Sequence, residues 1–135
     1  MGSSIHAMTW DDQKGVLTRF QNTSTLPPGF SGENTAATLC VERSGRFLYA
    51  SNRGADNIAV FSIAAATGGL TRIQHVSCGG KTPRHIALDP SQRWLIASNQ
   101  GSATVTVLAR NARTGLLELT KTQCSVDAPV CTVFV

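Results

Sequence analysis

"SGRFLYASNRGADNIAVFSIAAATGGL" (residues 44–70) lies over "SQRWLIASNQGSATVTVLARNARTGLL" (residues 91–117) without a gap. Arg46 falls on Arg93, Leu48 on Leu95, and Ala50-Ser51-Asn52 on Ala97-Ser98-Asn99. Gly54 falls on Gly101, Val60 on Val107, Thr67-Gly68 on Thr114-Gly115, and Leu70 on Leu117. The offset is constant at 47, as from Asn52 to Asn99. Self-similarity at a fixed period marks one supersecondary unit copied along the chain.

Each copy holds four short β-type runs separated by turn residues. The first reads "TLCVE" (38–42), "FLYASN" (47–52), "NIAVFSI" (57–63) and "TRIQHVS" (71–77). The second reads "HIALD" (85–89), "WLIASN" (94–99), "TVTVLAR" (104–110) and "LELTKT" (117–122). Ile58 and Val60, like Val105 and Val107, share one face of their strands. "FLYA" and "WLIA" are near-continuous apolar runs, as expected for strands covered on both faces. Four strands per unit with a period in the forties predict an all-β fold of four-stranded antiparallel β-propeller blades.

The ends extend the pattern. "GVLTRFQN" (15–22) matches "GLTRIQH" (69–75), so Leu17 stands where Leu70 does. With "SIHAMTW" (4–10), residues 4–22 read as the outer part of a preceding blade. Residues 37–78 and 84–125 read as whole blades. "APVCTVFV" (128–135) resembles "PRHIALD", so 129–135 reads as the inner strand of a further, closing blade. One partial propeller domain results, with open strand edges at both flanks. It is read either as a piece of a larger ring or as a chain that self-associates through those edges.

Composition narrows the function classes. Hydrophobic residues at 41 % and charged residues at 15 % describe a chain that builds a core. No apolar run is long enough for a membrane helix, and "MGSSIHAMTW" lacks the cationic start and apolar core of a secretion signal. The net charge of +4 is spread over single Lys and Arg residues, not a nucleic-acid-binding tail. Neither nucleic acid nor membrane is therefore expected as a partner. Cys40, Cys78, Cys124 and Cys131 show no C-x-x-C spacing, so no zinc site is expected. They read as reduced, small core residues of a cytoplasmic protein.

"STLPPGFSGENTAATLCVERSGRFLYASNRGADNIAVF", "GGKTPRHIALDPSQRWLIASNQGSATVTVL" and "APVCTVFV" together resemble the C-terminal part of the lactonase family of seven-bladed β-propellers. That family includes bacterial 6-phosphogluconolactonases and fungal carboxy-cis,cis-muconate lactonising enzymes. The resemblance runs from about Gly15 onward and covers roughly the last third of a family member. It implies a cleft for an anionic small-molecule lactone, hydrolysis of 6-phosphogluconolactone as the default activity, and no metal or organic cofactor. Lactonisation of a carboxymuconate is the enzymatic alternative, and a non-catalytic propeller piece that pairs with another chain is the other.

The resemblance transfers Arg53 of "SNRG" and Arg84 of "TPRH", with His85 carried along in the second motif. Chemistry suits the assignment. Arginine offers a permanent planar fork for phosphate, carboxylate or oxyanion. Histidine can move a proton near neutral pH. Lactone hydrolysis needs both functions. Arg53, Arg84 and His85 are thus the catalytic candidates. Arg53, Arg84, Glu33 and Asn34 are the substrate-binding candidates, the last two from the long connection "TSTLPPGFSGENTAA" (23–37). The repeat sharpens three of these. Gln100 stands where Arg53 does, and Ala36-Ala37-Thr38 stand where Pro83-Arg84-His85 do, so blade building does not require the charged residues. The plain alternative is a polar strand entrance for Arg84 and His85, a turn-side arginine for Arg53 and a solvated loop carboxylate for Glu33. Asn52 and Asn99 recur in both copies and read as structural.

Overall fold

The computed structural model describes residues 2–135. Ten strands form three antiparallel sheets, and the described residues contain no α-helix. β1 (Ser4–Asp11) and β2 (Val16–Ser24) pair as a two-stranded sheet. β3 (Thr35–Val41), β4 (Phe47–Arg53), β5 (Asn57–Ile63) and β6 (Leu70–Ser77) form the second, in chain order. β7 (Pro83–Leu88), β8 (Trp94–Asn99), β9 (Thr104–Arg110) and β10 (Leu117–Ser125) form the third, also in chain order. The four-stranded sheets approach most closely along β3 and β7 and splay toward β6 and β10. That wedge is what a propeller requires of neighbouring blades.

Two differences from the sequence reading stand out at the flanks. The connection before the first whole blade shrinks to residues 25–34, because β2 and β3 each reach further than the apolar pattern suggests. Residues 129–135, expected as an inner strand, form no strand ladder. Thr132 ties them to β7 and β8 instead: its N–H donates to His85 Nδ1 at 3.1 Å, and its Oγ1 shares a hydrogen bond with Ser98 Oγ at 2.8 Å.

Strand alternation splits each sheet into two working faces. In the second sheet Leu48, Ala50, Ala59 and Phe61 face the two-stranded sheet and pack with Ile5. Phe47, Tyr49, Ile58 and Val60 face the third sheet and pack with Ile86, Leu95, Ala97 and Leu108. Both faces of β4 and β5 are buried, which accounts for the unbroken apolar run in "FLYA". In β9 only one face is covered. Thr106, Leu108 and Arg110 are buried, while Val105 and Val107 stay half-exposed on the far side.

Repeated polar contacts join the sheets. The Gln21 side-chain amide donates to Leu70 O at 2.8 Å and accepts from Leu70 N at 2.7 Å. Gln74 does the same to Leu117, at 2.8 and 2.9 Å. Asn52 Nδ2 donates to Thr25 O, just beyond β2. Its counterpart Asn99 donates to Cys78 O, just beyond β6. Both asparagines are fully buried and serve the architecture. A deeper joint lies between β4 and β9. Arg110 Nε donates to Tyr49 Oη at 2.8 Å, Nη1 to Gln92 O at 2.8 Å, and Nη2 sits 3.4 Å from Glu42 Oε2. Tyr49 Oη in turn donates to Gly115 O at 2.9 Å. A Cβ on Gly115 would lie 2.3 Å from the Phe47 ring, and its φ is +75°, so no larger residue fits there.

The cysteines divide in a way the sequence did not announce. Cys78 is buried and Cys40 half-buried. Burial pushes their thiols up, to about 11 and about 12 respectively, so both stay protonated and inert. Cys124 and Cys131 are exposed, correcting the expectation of four core cysteines. Cys124 lies on the outer strand β10, and Cys131 lies on the unladdered segment after it.

Candidate functional site

Arg53 ends β4 and Arg84 is the second residue of β7, so antiparallel topology brings both to one rim of the sheet pair. They line a single cleft of about 250 Å³ together with Ala36, Ala37, Thr38 and Val130. Thr38 Oγ1 donates to Arg84 O at 3.0 Å and fixes β7 against β3 beside this cleft. The short side chains of Ala36 and Ala37 leave the room. They occupy the positions that Pro83 and Arg84 hold one repeat later, so the small-for-large exchange was the readable signal for a cleft between blades.

The electrostatics are one-sided. Among the described residues the ion pairs are Lys14–Asp11 and Arg110–Glu42, so neither Arg53 nor Arg84 has a carboxylate partner. Arg84 is exposed. Arg53 is half-buried, and its Nε is buried without a hydrogen-bond acceptor. An orphaned buried donor of this kind is costly to leave unmade. No acidic residue lines the cleft to balance the two cations.

His85 does not join them. Successive side chains of a strand point to opposite faces, and the β7–β8 register shifts between Pro83 and His85. His85 therefore lines a second cleft of about 620 Å³ with Leu39, Arg43, Gln92, Thr132 and Phe134. The Arg84–His85 pair of the sequence reading is thus split across the strand. The two clefts adjoin at Thr38, which lines both. His85 Nδ1 accepts a hydrogen bond from Thr132 N at 3.1 Å, and Nε2 lies 4.0 Å from Cys131 Sγ.

The loop candidates take different places. Asn34 is absorbed by structure. Its Nδ2 donates to Ser3 Oγ at 2.8 Å and Asn52 Oδ1 at 3.2 Å, and its Oδ1 accepts from Ala55 N at 3.0 Å. With every polar atom engaged, Asn34 sets the shape of the rim and has no donor left for a ligand. Glu33 is exposed, outside the cleft lining. Its main chain abuts Gly54, where an added Cβ would meet Glu33 O at 2.1 Å. Gly54, with φ +119°, is thus required for the loop to close over the end of β4 beside Arg53. Thr38 and Val130 are cleft residues that motif reasoning missed. Among the described residues no three His, Cys, Asp or Glu side chains gather closely enough to ligate a metal.

Four-stranded antiparallel sheets stacked face to face, with unpaired arginines where their inner strands meet, define a β-propeller blade array with a cationic rim. The chain belongs to the lactonase family of seven-bladed β-propellers, whose family profile, "Lactonase, 7-bladed beta-propeller", matches residues 1–134. It is 32 % identical over 134 residues to a 6-phosphogluconolactonase of Bacillus subtilis strain 168, covering 99 % of this chain and 38 % of that protein. A solved structure of a Lactobacillus plantarum protein superposes with a TM-score of 0.92 at 35 % identity, over 96 % of this chain and 38 % of that one. A periplasmic gluconolactonase from Pseudomonas aeruginosa superposes with a TM-score of 0.88 at 28 % identity, over 95 % and 35 % of the two chains. The chain therefore spans well under half the length of these relatives. No helix among the described residues is long and apolar enough to cross a membrane.

Proposed function

We propose that this chain supplies the arginine-bearing rim of a propeller that hydrolyses an anionic sugar lactone, 6-phosphogluconolactone being the first choice. The observation that carries the reading is the cleft shared by Arg53 and Arg84, with two cationic forks, one buried orphan donor and no carboxylate. Such a site attracts phosphate, carboxylate and developing oxyanions. The names of the related 6-phosphogluconolactonase and gluconolactonase support the lactone class.

In the reaction a water oxygen bonds to the lactone carbonyl carbon and the bond from that carbon to the ring oxygen breaks. One water proton goes to a base, and the ring oxygen takes up a proton as it leaves. Arg53 and Arg84 hold the phosphate or the carbonyl oxyanion, and His85 serves the leaving ring oxygen from the adjoining cleft. The remaining walls of the cleft come from further blades, toward which Val105, Val107 and Trp94 present open apolar surface. The unpaired cysteines fit work in a reducing cytosol.

The test is hydrolysis of freshly prepared 6-phosphogluconolactone, followed by acid release at constant pH. Arg84→Ala and Arg53→Ala should each lower kcat/KM by about a hundredfold, the loss typical of removing one oxyanion-stabilising donor. Wild-type rates in both variants would sink the proposal.

A further inference from the structure

Aligned on the repeat, Thr38, His85 and Thr132 occupy one equivalent position in three successive units. The side chain at this position reaches the next repeat unit. Thr38 Oγ1 donates to Arg84 O, and His85 Nδ1 accepts from Thr132 N at 3.1 Å. A main-chain N–H can only donate, so His85 Nδ1 must be unprotonated while this bond stands. The neutral ring then carries its proton on Nε2. A second bond at 2.8 Å, between Ser98 Oγ and Thr132 Oγ1, holds the Thr132 main chain in place to make the first.

We propose that Thr132 is a positioning residue whose main-chain N–H locks His85 as its Nε2–H tautomer, so that His85 meets a substrate as a neutral hydrogen-bond donor and not as the base. The inference rests on the lactone-hydrolysis reading for its catalytic meaning, but the tautomer itself does not. In ring opening the Nε2–H would donate a hydrogen bond to the ring oxygen as the carbonyl carbon–oxygen bond breaks, and the departing alkoxide would take its proton from water. The imidazole keeps its own proton and stays neutral throughout. Activation of the attacking water then falls to an acceptor other than His85. Protonating Nδ1 instead would break the Thr132 bond. The titratable or charged groups around the ring are Cys131 from the C-terminal segment, Cys40 of β3, Arg43 beyond β3, and Arg84 on the opposite face of β7.

Long-range proton–nitrogen NMR of the intact chain, with His6→Gln and His75→Gln variants for assignment, reads the tautomer directly. His85 should show an unprotonated Nδ1 and a protonated Nε2 near neutral pH. Thr132→Ser, which keeps both the N–H and the hydroxyl that bonds Ser98, should preserve this pattern. Thr132→Pro, which deletes it, should give a mixture of tautomers. Activity supplies the second readout. His85→Gln, which keeps a donor near the Nε2 position, should retain more kcat than His85→Asn, whose shorter amide reaches only the Nδ1 position. The second variant should lose about a hundredfold or more, as for removal of a donor to a developing oxyanion. An Nδ1–H tautomer in the wild-type chain, or tautomers unchanged by Thr132→Pro, would overturn the proposal. A locked tautomer in a chain with no lactonase activity would instead count against the function and leave the positioning role standing.

Discussion

Arg110 and the Arg53–Arg84 pair are chemically identical groups put to opposite uses. Arg110 is buried between sheets, with a phenol, a main-chain carbonyl and a carboxylate around its guanidinium. Arg53 and Arg84 stand at the rim of the same sheets with no anionic partner among the described residues. Arg110 and Arg53 each keep one buried nitrogen without a hydrogen-bond acceptor. What separates them is the carboxylate: the fold supplies one to Arg110 and none to Arg53 or Arg84. Charge alone does not mark a candidate site; an arginine at a cleft with no built-in counter-ion does.

The comparison breaks first at Arg110. Arg110→Ala leaves Glu42 and the Tyr49 hydroxyl buried without their partner, and should cost about 3–5 kcal/mol, read by urea denaturation. A loss below about 1 kcal/mol would mean the joint is ornamental. Acid probes the same joint. Burial opposes ionisation of Glu42, but hydrogen bonds from Ser44 and Arg46 and the charge of Arg110 outweigh it, holding the carboxyl at about 2 against an ordinary 4.5. The folded value is the lower, so this stabilisation is complete above about pH 4.5 and drains away as pH falls toward 2. The drop should reach about 3 kcal/mol by linkage and should flatten in Glu42→Gln.

Asn52→Ala removes bonds to Thr25, Asn34 and Asn57 in a fully buried spot. It should cost about 2 kcal/mol and loosen the two-stranded sheet first, visible as faster amide exchange in β1 and β2. The smallest effect sharpens the contrast most. Arg84→Ala should leave the stability from urea denaturation within about 0.5 kcal/mol of wild type while abolishing the 6-phosphogluconate binding that calorimetry is expected to detect in the wild-type chain. A large stability loss there would return Arg84 to the same class as Arg110.

Much of this was legible in the residues. The constant offset fixed the four-strand unit, the strand order and the structural standing of Asn52 and Asn99, because a packed repeat cannot change what every copy needs. Arg53 and Arg84 were legible as departures from that repeat. The separation of Arg84 from His85 was also written in strand alternation, but adjacency in "TPRH" obscured it. Other features were hidden for physical reasons. Asn34 looks like a free loop amide until Ser3 and Ala55, far off in sequence, arrive to occupy it. Residues 129–135 carry a strand's apolar pattern, yet a ladder needs a neighbour that pattern alone does not provide. The exposed thiols of Cys124 and Cys131 depend on which faces of β10 and the C-terminal segment are covered, which alternation leaves open.

The glutamine joints carry one more consequence. The carboxamides of Gln21 and Gln74 each behave as a detached peptide unit, giving and taking one hydrogen bond with the main chain at Leu70 and Leu117. Such a coupling reads only backbone, so it is blind to the side chains of the unit it grips. At these two joints the grip is the same whatever side chain the gripped residue carries. The rim is not part of that grip, and there the copies differ, Ala37 in one standing where the next has Arg84.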